Sequence, residues 1–165
     1  MNVDVEVRPY DEGDLDLIVE FSLRAWEPVF SSLRDVLGDE IFDRLHRPDW
    51  ESVQADSVRG SCTSDDRDVF VAVADGRPVG FAAVVLNAFH EGMGAVEIIA
   101  VDPVYQRRGI ARGVMARCAD HLRAQGMDIA AVETGGDLGH AAARGLYESL
   151  GYTPLPVVRY LRHLE

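Results

Sequence analysis

Polar and apolar positions recur along this chain with two different periods, and the change of period divides it. In residues 11–30, DEGDLDLIVEFSLRAWEPVF, capping residues lead into Leu15, Ile18, Val19, Ser22, Trp26 and Val29 near one helical face. This predicts an amphipathic helix ending about Pro28. Leu37, Ile41 and Leu45 repeat every four residues and predict a second helix, interrupted or entered near Gly38. A short third helix is expected over 49–60, with Trp50, Val53 and Val58 inward.

From about residue 66 the pattern becomes β-like. Residues 68–86, DVFVAVADGRPVGFAAVVL, are two β-rich runs around Asp75-Gly76, a pair suited to a type I′ turn, so they predict an antiparallel hairpin. A turn at 91–94 and the run AVEIIAV at 95–101 add a third strand. An arginine-rich helix follows Asp102-Pro103, then a strand at 128–134, a GGDLG loop, a helix over 140–151 closed by Gly151, and a last strand at 153–164. The fold class expected is α/β, of the α+β type, with a mixed, mostly antiparallel central sheet flanked by helices. A chain of 165 residues fits one domain with a full core.

Composition narrows the function classes. The longest apolar runs, VFVAVA and FAAVVL, fall far below membrane-spanning length, and the first residues lack a basic flank followed by an apolar stretch. The expectation is a cytoplasmic protein without membrane contact. Cys62 lies in a polar stretch and Cys118 on a helix face with Ile110, Val114 and Leu122, so both read as free thiols. The aspartates after Cys62 oppose a catalytic thiolate there. The formal charge of −12 sits entirely in residues 1–75, with 19 acids against 7 arginines, whereas residues 76–165 balance. Nucleic acid is therefore excluded as a partner, and a cationic substrate fits better. There is no lysine, which removes P-loop, Schiff-base and lysine-base chemistry, and no metal is expected.

Against that acidity, VDPVYQRRGIARGV at 101–114 gathers arginines where a strand gives way to a helix at Gly109. A helix start presents unpaired N–H groups and a positive dipole end, which bind phosphate without any special side chain. Gly109 lets the backbone approach closely, Ala111 keeps the next contact small, and Arg107, Arg108 and Arg112 add forked donors. Charge alone leaves a second reading open, in which these arginines pair with nearby acids.

The segment VDPVYQRRGIA resembles the Gln/Arg-x-x-Gly-x-Gly/Ala motif of the GNAT superfamily of acyl-CoA-dependent N-acyltransferases, with Gln106, Gly109 and Ala111 at the defining positions. HAAARGLYESLGY resembles the later helix of that family, which commonly reads Asn-x-x-Ala and then Leu-Tyr-Glu-x-x-Gly-Phe. The resemblance implies one GNAT-like acetyltransferase domain, with 1–65 as the helical acceptor-recognition part and 66–165 as the acetyl-CoA-binding core. It implies that the backbone of Ile99 and Val101 holds the pantetheine arm. Amides from Gln106 through Ile110 to Ala111 hold the pyrophosphate, and Arg107 or Arg108 meets the remaining phosphate. His140, where the family usually has Asn, is a further expected cofactor contact. Tyr147 occupies the place of the general acid that protonates the departing thiolate.

An alkyl amine titrates near 10.4, so presenting it uncharged at pH 7 costs roughly 4 to 5 kcal/mol and calls for a base. Glu97 is the leading candidate, expected on the face of Ile99 and Val101; the alternative is a half-buried glutamate satisfied by an arginine. Glu133 is the reserve, and a carboxylate acting through water is a further route. Family recognition of the acceptor lies mainly in the N-terminal helices. There Asp35, Asp39, Glu40 and Asp43 are placed at the entrance, with Trp26, Phe30 and Trp50 as aromatic walls. The acceptor expected is a small polycationic amine, such as an aminoglycoside-like antibiotic or a polyamine, or else a peptide amine. A non-catalytic acyl-CoA-binding module is the rival, and a homodimer is possible.

Overall fold

The computed structural model describes residues 4–164. Asp75 and Gly76 both take positive φ, 51° and 74°, as a type I′ turn requires, and join β2 (Asp68–Ala74) to β3 (Arg77–Val85) as an antiparallel hairpin. β4 (Met93–Val101) continues the meander, and β5 (Ile129–Val132) joins it in parallel after a helical crossover. Strand β1 (Val5–Pro9), which the sequence pattern did not reveal, pairs antiparallel with β2, and the order is β1-β2-β3-β4-β5.

Two apolar clusters cover the two faces of this sheet. On one, α3 (Ile110–Ala124) and α4 (Ala141–Ser149) pack Val114, Met115, Cys118, Leu122 and Tyr147 against Phe70, Ala82, Val84 and Val96. Gly94 is required there, because a Cβ would sit 2.3 Å from Leu122. On the other, α1 (Leu15–Leu45) and α2 (Trp50–Thr63) pack Ile18, Phe21, Val58 and Cys62 against Val71, Phe81, Ala83 and Ile98. Cys62 is thus buried rather than lodged in a polar stretch, and burial pushes both thiols up to about 12.

Several expectations are corrected. α1 does not end at Pro28: the proline lies exposed inside the helix, while buried Phe21, Ser22 and Phe30 around it fix the helix to the core. A proline in a helix interior costs about 3 kcal/mol, and this packing offsets it. The break falls at Gly38, whose φ of 74° and ψ of 159° separate two helical segments. The expected last strand is absent, since residues 152–164 carry no secondary structure. No helix among the described residues is long and apolar enough to cross a membrane.

Candidate active site

Strand β4 outruns its parallel neighbour. Their pairing ends at Val96 opposite Val132, so 97–101 has β3 on one side and a gap on the other. The Asp102 N–H donates to the Val79 carbonyl of the β3 side at 2.9 Å. By alternation, Ile99 and Val101 direct their backbone groups away from β3 and into the gap. Gln106 Nε2 donates to the Val101 carbonyl at 3.1 Å, folding the following loop back onto the strand end and leaving the Val101 N–H available. Asp102 caps that loop through the Val104 N–H at 3.1 Å and pairs with Arg24 of α1 at 3.0 Å.

The loop then turns twice into the left-handed region, at Arg107 (φ 64°) and Gly109 (φ 82°). The first helical bond runs from the Gly113 N–H to the Gly109 carbonyl at 3.0 Å. Among the described residues, none of the N–H groups from Arg107 to Arg112 meets an acceptor. Alternating left- and right-handed residues make a concave nest of donors at the positive end of α3, a geometry that suits diphosphate oxygens. Arg107, Arg108 and Arg112 are exposed around it, and none of them forms an ion pair among the described residues. Arg108 lies over the Tyr105 ring at 5.3 Å, and Arg112 donates to Ser149 Oγ at 2.9 Å. Ile110 and Ala111 face inward, Ile110 so closely over Gly80 that a Cβ there would lie 3.2 Å from it.

Tyr147 of α4 is buried in the same cluster as Val101 and Ile110. Burial pushes its hydroxyl up to about 12, so the phenol is a neutral donor across the physiological range. Its hydroxyl has no hydrogen-bond partner among the described residues. His140 stands at the start of α4 with Nδ1 2.5 Å from Asp137 Oδ1. Asp137 also accepts from Ser32 Oγ of α1 at 2.7 Å and from the Gly139 N–H at 3.0 Å. Burial opposes ionisation of Asp137, but the Ser32 and His140 bonds outweigh it and hold its pKa below the ordinary value. Arg144 clamps the loop from below by donating to the carbonyls of Gly135 and Asp137 at 2.6 and 2.7 Å. Ser32, Asp137 and Arg144 escaped sequence reasoning. The glycines of GGDLG were the one signal, and Gly139 packs where a Cβ would lie 2.9 Å from the Val29 Cα.

Glu97 is placed otherwise than expected. The β3–β4 register shifts between Ala83 and Val84, so Val96 enters the α3-side cluster whereas Ile98 enters the α1–α2 side. This bulge takes Glu97 off the face of Ile99 and Val101 and turns it toward α2. There Arg67 donates to both carboxylate oxygens, at 2.7 and 2.8 Å, and Ser61 donates at 3.2 Å. The Arg67 bonds, opposed by burial, hold the Glu97 carboxyl below its ordinary pKa. Glu97 also lines a polar cavity of about 360 Å3 with Ser57, Ser61, Ser64 and Arg67. Glu133, just past β5, is exposed.

Three of the four acceptor-side acids are paired within the chain. Asp39 and Asp43 pair with Arg34 at 2.7 and 2.9 Å, and Arg34 lies 4.2 Å over the Phe42 ring. Glu40 pairs with His163 at 3.0 Å, and Asp35 is exposed. Phe30 and Trp50 stack at 4.6 Å, and Trp50 lines an open cavity of about 990 Å3 whose charged lining is mixed, Asp43, Asp49 and Glu51 facing Arg34 and Arg47. Trp26 packs apart from it, against the α1–α2 cluster. No group of three or more His, Cys, Asp and Glu among the described residues could hold a metal ion.

The sequence pattern of the Acetyltransferase (GNAT) family matches residues 30–152. The chain belongs to the GNAT family. It is 36% identical over 83 residues to the mycothiol acetyltransferase of Beutenbergia cavernae, a match covering 50% of this GNAT chain and 27% of that protein. It is 35% identical over 96 residues to the streptothricin acetyltransferase of Streptomyces lavendulae, covering 58% of this chain and 49% of that one. The matches thus span less than half the length of these curated relatives. The GNAT fold is also that of a solved aminoglycoside N-acetyltransferase in complex with CoA, with a TM-score of 0.65 at 18% identity over 99% of this chain and 97% of that one.

Proposed function

We propose that this GNAT protein moves an acetyl group from acetyl-CoA to a primary amine of a small cationic acceptor by direct attack. The observation that carries this reading is the row of unbonded N–H groups from Arg107 to Arg112 beside the unpaired edge of β4. Those two features suit a diphosphate joined to an extended amide-bearing arm. In this reading Ile99 and the Val101 N–H bind the arm, the nest and its arginines bind the phosphates, and His140, held by Asp137, contacts the same ligand. Acetyl-CoA as co-substrate fits these donors, and the solved relative that binds CoA adds support.

Tyr147 lies on the α3 side of the sheet and Glu97 on the α2 side, and the β4–β5 gap is where the faces meet. Acetyl donor and amine acceptor therefore approach from opposite faces, with Tyr147 donating a hydrogen bond to the departing sulfur. Glu97, paired with Arg67, is a weak base in direct contact. Its polar cavity has room for water, and the proposed route takes the amine proton to Glu97 through such water.

For the acceptor, the excess of acid in residues 1–75 and the aromatic wall that Trp50 gives the cavity favour a cation, and two relatives are named for streptothricin and aminoglycosides. The test is thiol release from acetyl-CoA with a panel of mono- and polyamines at several salt concentrations. Turnover of polycations with a KM that rises with salt is expected. Binding of CoA without turnover of any amine would favour the non-catalytic module.

A further inference from the structure

Breaking a thioester leaves a thiolate, and Tyr147 is not acid enough to protonate it. A phenol held up to about 12 donates a hydrogen bond to sulfur but keeps its proton against a thiol of about 8.5. The nitrogen has the opposite need. An uncharged amine that has attacked the carbonyl carries a positive charge and one proton too many, whereas the water route to Glu97, on the α2 side, serves the ammonium that arrives. A group that takes this second proton and passes it to sulfur must stand where the two faces of the sheet meet.

The turn 137–140 stands there. It follows β5, rests on α1 through Ser32, which accepts from the Gly139 N–H at 3.0 Å and donates to Asp137 at 2.7 Å, and runs directly into α4. Since α1 covers one face of the sheet and α4 the other, the turn passes between the faces beside the β4–β5 gap. His140 ends the turn seven residues before Tyr147, two helical turns away on the same side of α4.

The His140 ring is fixed on every side but one. A Cβ on Gly135 would lie 2.8 Å from Cε1, so the ring rests on that glycine, and Arg144 holds the carbonyls of Gly135 and Asp137 in place. Asp137, largely buried, accepts from Ser32, from the Gly139 N–H and from His140 Nδ1. A carboxylate with three donors is ionised and cannot itself donate, so Nδ1 carries the hydrogen and Nε2 the lone pair. Nε2 has no partner among the described residues, and the side chain keeps 22% exposure. An imidazole held at Nδ1 by a carboxylate, with Nε2 open, can act first as base and then as acid.

We propose that His140 Nε2 takes the proton from the attacking nitrogen and delivers it to the departing sulfur, with Asp137 and Ser32 as its positioning residues. This step rests on the acetyl-transfer reading and supplies its second proton transfer. The nitrogen lone pair forms the C–N bond, the C–S electron pair goes to sulfur, the N–H proton passes to Nε2, and the imidazolium gives it to the thiolate. Amide, thiol and neutral His140 remain. An imidazolium is a stronger acid than a thiol, so the last transfer runs downhill. Asp137 supports the charged ring against the positive start of α4 and the Arg144 guanidinium.

His140→Asn is the decisive variant, because asparagine is among the best residues at a helix start and keeps a hydrogen-bonding group while losing the base. The kcat for thiol release and the Kd for CoA are measured for wild type, His140→Asn, His140→Ala and Ser32→Ala, with imidazole added to the His140→Ala reactions. Expected is a kcat lowered roughly 100-fold or more in His140→Asn, with Kd kept within about threefold. Imidazole should raise the kcat of His140→Ala about tenfold or more, and Ser32→Ala should lose about tenfold in kcat with Kd kept. A His140→Asn kcat within about threefold of wild type, a loss confined to CoA affinity, or a His140→Ala variant that imidazole does not rescue would each overturn the proposal. A wild type that binds CoA but releases no thiol with any amine fails the acetyl-transfer reading itself, and the proposal with it.

Discussion

Replacing Tyr147 by phenylalanine isolates one hydroxyl. With its pKa at about 12, the phenol stays protonated at pH 7. Against a thiol near 8.5, complete proton transfer to the leaving sulfur is uphill by roughly 5 kcal/mol. What remains is hydrogen-bond donation to a sulfur that gains charge as the bond breaks. A bond to a charged acceptor contributes about 1.5 to 3 kcal/mol, or roughly 10- to 150-fold in rate. The ring keeps its place among Val101, Ile110 and Tyr152, and no group in the chain loses a partner, so stability should change by less than about 0.5 kcal/mol. The assay is kcat for thiol release at saturating acetyl-CoA and amine, with CoA affinity and thermal midpoint measured alongside. A fall in kcat within that range, with affinity and midpoint kept, supports the role. A fall below about threefold would remove Tyr147 from the chemistry and leave it a core residue.

Gly109→Ala places a side chain at φ 82° in otherwise open space, so its effect is purely conformational. Stability should fall by about 1 kcal/mol in a denaturant titration, and CoA affinity should weaken because the nest is distorted. Gly139→Ala sets a Cβ 2.8 Å from Ser32 Cβ and should lift the loop off α1, destabilising the fold by about 1 to 3 kcal/mol in the same titration and raising the KM for acetyl-CoA through His140. Asp14 accepts two bonds from Arg8, at 2.7 and 2.8 Å, which hold its carboxyl below the ordinary value despite burial. Its contribution is complete above the unfolded pKa and disappears as pH falls through the lower folded one. Asp14→Asn should therefore cost about 1 to 3 kcal/mol at pH 7 and progressively less below about pH 4, as read from urea midpoints at each pH.

The hairpin at Asp75-Gly76, the glycine break at 38 and the helix start at Gly109 were legible because each depends on a local backbone demand that few residue types meet. The two motifs that resemble the GNAT family lie at such places as well. What escaped the sequence depends on distant partners. Pro28 reads as a stop, yet burial of Phe21 and Phe30 carries the helix through it. VEVRP is too short and too charged to announce β1, and becomes a strand only because β2 lies beside it. Glu97 fits the alternation of AVEIIAV, and only the register shift against β3 shows that it turns toward Arg67. The Ser32–Asp137 bond joins residues 105 positions apart, a distance no spacing rule spans.

In the proposed function the amides from Arg107 to Arg112 grip the diphosphate of CoA. Isothermal titration of CoA into the folded chain tests it most directly, with dephospho-CoA and pantetheine in parallel. Saturable binding of one CoA per chain is predicted, weaker for dephospho-CoA through the loss of an arginine-bound phosphate and far weaker for pantetheine, which lacks the diphosphate. Equal affinities for CoA and pantetheine, or no binding of CoA by well-folded protein, would contradict it.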